Sequence, residues 1–118
     1  MLTKVLPLFF LLLSSPSWAL LEYSKGTCEL DGRLYQAANK NWYFLVNPEA
    51  NNETRFLLKD FKSTELRTQG ENVKVQLVLS KPVVSQEAEV VLKKIVKKLN
   101  PYRELKFYHS YEVKKLCK

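Results

Sequence analysis

Three glycines, two cysteines, one histidine and one methionine are all that 118 residues contain of these types. Each scarcity excludes a kind of chemistry. Glycines as dispersed as Gly26, Gly32 and Gly70 cannot form a glycine-rich phosphate loop. A lone histidine, His109, cannot build a multi-histidine metal site, and as a general base it lacks a marked nucleophile or orienting partner. On the apolar side of a strand, it is expected to be packed and hydrogen-bonded. The close acidic pairs are Glu29 with Asp31 and Glu87 with Glu89. One lies near a turn and the other at a helix start, and local structure explains both. No motif calls for a cofactor or a metal, so an enzyme is not expected.

Long apolar runs are also missing. The longest, from Val5 to Leu13, is about half of what a membrane-spanning helix needs. Lys4 precedes it, and Ser17-Trp18-Ala19 follows with the small residues that a signal peptidase requires. The expectation is therefore a secretory leader over residues 1–19, cleaved after Ala19. A single domain over 20–118 would remain, exported to a periplasm or secreted, with no transmembrane span.

The two cysteines, Cys28 and Cys117, sit near opposite ends of that domain. An exported chain meets an oxidising compartment, so the two are expected to pair. The loop they close would remove about 4.5 kcal/mol of chain entropy from the unfolded state. A domain of this length buries a modest share of its surface and benefits from such a link.

Acidic residues are the scarcer charge. Without Lys4, 18 Lys and Arg face 12 Asp and Glu, a net of +6. This balance favours anionic partners such as phospholipid headgroups, glycans or acidic proteins. Export leaves intracellular nucleic acid out.

Along the mature chain, residues 26–35 alternate loosely, and Asp31-Gly32 reads as a tight turn or a bulge. Trp42 to Val46 is apolar throughout and rich in aromatic and branched residues, the pattern of a strand covered on both faces. Residues 47–52 form a loop by composition, and Asn52-Glu53-Thr54, beginning at its last residue, is a glycosylation acceptor triplet. Arg55–Lys59 is a further strand. Val73, Val75, Leu77 and Leu79 alternate with polar neighbours, the clearest half-buried strand.

From Ser85, the spacing of Ala88, Val91, Leu92, Ile95 and Leu99 predicts a helix over about 85–99, capped by Ser85 and stopped by Asn100-Pro101. A last strand places Leu105, Phe107, His109, Tyr111 and Val113 on the core side. The order is thus β-β-β-β-α-β. It implies an α+β domain with a small, curved, mainly antiparallel sheet of about five strands and one helix packed on it. A partly open OB-like barrel and an open sheet with a right-handed crossover both satisfy this order.

The candidate binding residues are the lysines of the helix face, Lys93, Lys94, Lys97 and Lys98, joined by Lys114, Lys115 and Lys118. They would dock on an anionic surface. Tyr43, Tyr108 and Tyr35 are the aromatics expected to be exposed, since their neighbours claim the core side. Rings interleaved with cations can stack sugars or bases. The function expected is a non-catalytic exported module that binds an anionic or envelope protein partner. An accessory subunit of an envelope assembly and a small hydrolase acting on cell-wall or nucleic-acid polymers are the alternatives.

Overall fold

The computed structural model describes residues 20–84, 86–100 and 104–118. The expected leader, its cleavage site and the helix-capping Ser85 lie outside the described residues. Five strands, β1 (Gly26–Gln36), β2 (Trp42–Val46), β3 (Thr54–Leu58), β4 (Glu71–Leu79) and β5 (Glu87–Lys98), close into a barrel in the order β1-β2-β3-β5-β4. Neighbours run antiparallel except β3 and β5, which are parallel. A single turn of helix, α1 (Val113–Leu116), packs on β1. The fold is a β-rich mixed barrel.

Period-two alternation builds the interior. Leu30 and Leu34 of β1, Trp42, Phe44 and Val46 of β2, Phe56 and Leu58 of β3, and Val73, Val75, Leu77 and Leu79 of β4 all point inward and are buried. The β4 reading therefore holds residue by residue. In β2 the alternation is real although the sequence hides it: Tyr43 and Leu45 lie half-buried outside the barrel. A closed barrel encloses one face of each strand, so the expected double cover does not form.

Asp31-Gly32 is neither turn nor bulge. Both residues lie inside β1, which pairs with β4 over Gly26–Leu34 and with β2 over Arg33–Gln36. Gly32 faces inward where β1 passes from one partner to two. A Cβ there would collide with the carbonyl oxygen of Leu45 and the ring of Phe44. That ring fills the space a side chain would occupy.

The largest correction concerns residues 85–99. The expected helix is strand β5, lying between β3 and β4. Its branched residues Val90, Val91, Ile95 and Val96 suit a strand. Two irregularities explain the misleading spacing. Val75 and Lys74 are consecutive but face Ile95 and Lys97, while Leu77 and Gln76 face Leu92 and Lys94. Val96 and Lys93 are thus extra residues, as in β-bulges. The inward series becomes Ala88, Val90, Leu92 and Ile95, with a three-residue step that imitates helical spacing.

The expected final strand is also absent. Residues 104–109 carry no regular structure, and a turn leads into α1. Val113 is buried as expected, but the side-chain parity over 107–111 is not the expected one. Tyr108 is buried, whereas Phe107, His109 and Tyr111 are exposed. Among the described residues, no helix is long and apolar enough to cross a membrane.

Candidate functional site

The carboxy-terminal segment is fastened across β1 at both ends. Cys117 is bonded to Cys28, closing a separation of 89 residues, and the two also pair as an antiparallel bridge. Beside them, Thr27 and Lys118 exchange backbone hydrogen bonds of 2.8 and 2.9 Å. At the other end, the Asn47 side chain clamps the backbone of Tyr108. Its Nδ2 donates to the Tyr108 carbonyl at 2.8 Å, and its Oδ1 accepts from the Tyr108 amide at 2.8 Å. The Tyr108 hydroxyl accepts from the Asp31 amide at 2.9 Å. Burial pushes this phenol up to about 12, and the Asp31 amide offsets only part of that. Tyr108 is therefore a buried anchor, which corrects its expected exposure, and it also lines one of the hollows beside the tail.

With the segment held there, lysines from three stretches of chain meet. One hollow of about 430 Å³ is lined by Lys97 and Lys98 from the end of β5, by Lys106, and by Asp31 and Glu104. A second, of about 580 Å³, is lined by Lys74 and Gln76 of β4, Glu29 and Asp31 of β1, and Lys106, Lys115 and Lys118 of the tail. Asp31 and Lys106 belong to both, so the hollows adjoin. Lys74 stands directly opposite Lys97 across the β4–β5 ladder, a pairing of like charges that weakens a sheet. Lys74 reaches Asp31 at 3.7 Å, Lys98 reaches Glu71 at 3.3 Å, and Lys106 reaches Glu112 at 3.7 Å. Among the described residues, Lys97, Lys115 and Lys118 have no ion pair.

No known protein family, curated protein or solved structure matches this chain. The chemistry of the site therefore rests on its own geometry.

Of the lysines expected on one helix face, Lys97 and Lys98 line the first hollow, while Lys93 and Lys94 are exposed farther along β5. Lys94 sits across from Gln76 of the second hollow. Lys114 turns away and pairs with Glu22 at 3.1 Å. Tyr43 is on the outer face of β2, where its ring stacks on Tyr35 at 5.6 Å. That pair lies on the β1–β2 ladder and lines neither hollow. Lys74 and Lys106 were missed. The alternation of β4 marks Lys74 as outward, but nothing local says that the tail will lie beside it.

The residues weighed for catalysis do not converge. Glu29 accepts from Gln76 at 3.1 Å, and Asp31 pairs with Lys74. Glu87 and Glu89 face Arg55 and Leu57 from strand β5 and mark no helix start. His109 is exposed, with its ring between those of Phe107 and Tyr111, which corrects the expected packed position.

Two glutamates at the margin of the site give the fold an acid limit. Burial disfavours the charge of Glu71, but the Arg67 amide and the Lys98 ammonium outweigh it and hold the carboxyl low. The His109 amide, which donates to Glu112 at 2.7 Å, holds that carboxyl low, and Lys106 adds to the effect. A carboxyl depressed on folding contributes stability that is present above its unfolded value, about 4.3, and is lost as pH falls through the folded value. Urea midpoints should thus decline as pH drops below about 4.3. The decline should be shallower in the Glu71→Gln/Glu112→Gln variant, and identical pH profiles for the two proteins would contradict these assignments.

Proposed function

We propose that the protein is a non-catalytic, exported binding module built on an OB-like barrel, and that it captures an anionic partner on its lysine-lined surface. The convergence of Lys74, Lys97, Lys98, Lys106, Lys115 and Lys118 from β4, β5 and the tail carries this reading. The like-charged pair Lys74 and Lys97 adds support, because a sheet gains no stability from it. The disulfide is compatible with an oxidising compartment outside the cytosol. A five-stranded barrel is also the frame of OB-type modules, which are partly open and bind extended ligands on an outer face. It leaves little free strand edge, so an assembly subunit that accepts a partner's strand has less support.

Retention on immobilised heparin tests the reading. The Lys97→Gln/Lys98→Gln/Lys106→Gln/Lys115→Gln variant removes four cations at about 1 kcal/mol each, a loss of roughly a thousandfold in affinity. It should elute at clearly lower salt while melting at nearly the same temperature. Unchanged elution would reject the lysine surface as the binding site.

A further inference from the structure

The tail leaves its more apolar side uncovered. Phe107 is 51% exposed and Tyr111 64%, and among the described residues they are the exposed Phe and Tyr. His109 lies between them. The Phe107 and His109 rings meet edge to face at 5.5 Å, and the His109 and Tyr111 rings stack at 6.1 Å. The three rings form one continuous row. Cations stand near it: the Lys115 ammonium lies 5.9 Å from the centre of the Tyr111 ring, and the Lys106 ammonium, 5.3 Å from the centre of the Tyr108 ring, pairs with Glu112, whose carboxylate holds the His109 amide. The row is held firmly, with the Asn47–Tyr108 clamp inside it and the Cys28–Cys117 bond just beyond. Little conformational freedom is lost when it docks.

We propose that this row is a membrane-docking edge, with Phe107, His109 and Tyr111 entering the interfacial layer of an anionic phospholipid bilayer while Lys106 and Lys115 engage its headgroups. The inference rests on the anionic-partner reading above and narrows the partner to a lipid surface. Charge complementarity selects the occupant, because rings alone would suit any apolar partner, whereas Lys115 at the Tyr111 ring and Lys106 nearby favour an anionic one. The ring types favour a bilayer over an acidic protein. Tyrosine and histidine keep a wet polar tip beside an apolar body, as the headgroup region demands. A row of three rings set among lysines fits an interfacial anchor that lies on the membrane without spanning it.

The test uses the protein as exported and oxidised, with vesicles of phosphatidylglycerol and phosphatidylcholine or of phosphatidylcholine alone. The protein should sediment with the first and not with the second. Phe107→Ala/Tyr111→Ala should lower that partition at least tenfold and leave heparin retention unchanged. Phe107→Trp should shift its emission to the blue and be quenched by brominated lipid, against the steady background of buried Trp42. Heparin retention without vesicle binding would overturn the membrane proposal and leave the anionic-partner reading standing. So would vesicle binding that ignores both ring replacements, which marks purely electrostatic contact. Failure on heparin and vesicles alike would remove both.

Discussion

Replacing Cys28 and Cys117 together with serine should lower the melting temperature by about 20 °C. The link closes 89 residues, and the chain-entropy treatment assigns such a loop about 4.5 kcal/mol. A domain of this size shifts by about 4–8 °C for each kcal/mol, and part of the entropic gain is ordinarily not realised in practice. A second consequence is local. Cys117 and Lys118 are the last fastening of the tail to β1. Without the bond, Lys115 and Lys118 are no longer fixed beside Lys74, and heparin retention should weaken as well. Thermal melts followed by circular dichroism, with and without reductant, check the first effect. A shift of only a few degrees would show that the barrel does not depend on the link.

Asn47→Ala should destabilise the protein by about 4 kcal/mol, which is unusual for a loop residue. Asn47 is 2% exposed and has φ of 53°. Asparagine tolerates that left-handed conformation better than alanine does, and the difference is about 1 kcal/mol. The substitution also strands the amide and carbonyl of Tyr108, both buried, and each costs about 1–3 kcal/mol when unpaired. Asn47→Asp keeps the acceptor and loses the donor, so it should fall between the two. Urea denaturation gives the values, and amide exchange at Tyr108 reports whether the clamp opened. If Asn47→Ala unfolded at the same urea concentration as the parent, the clamp would carry no weight. The same network bears on the acceptor triplet. Asn52 is 8% exposed and accepts from Asn47 at 3.1 Å, and Thr54 is buried in β3, so the folded chain does not present this triplet for modification.

The parts that could be read directly are those in which local pattern and global packing agree. In β4, four inward apolar residues alternate with outward ones, and nothing in the barrel disturbs the period. The Cys28–Cys117 pairing could be read because two cysteines admit one intramolecular bond. β5 could not, because its two extra residues, Lys93 and Val96, are unpaired and break the period of two. Lysine, glutamate and leucine along that stretch favour a helix as much as a strand. What decided it was non-local: as a strand, this segment lies between β3 and β4 and closes the barrel.

The tail carries the same lesson for the site. Residues 105–113 alternate, so the sequence determines that two opposite faces exist. It does not determine which face is buried. Counting apolar residues favours the face with Phe107, His109 and Tyr111, yet the fold buries Tyr108 instead. Asn47, 61 residues away, supplies the hydrogen bonds that select it. The sequence alone determined the positive balance, the possible disulfide and most of the inward-facing residues, because these depend on composition or on near neighbours. Tertiary structure decided that β5 is a strand, that Lys74 and Lys106 join Lys97, and that a row of rings faces outward, because each depends on barrel closure and on contacts between distant segments.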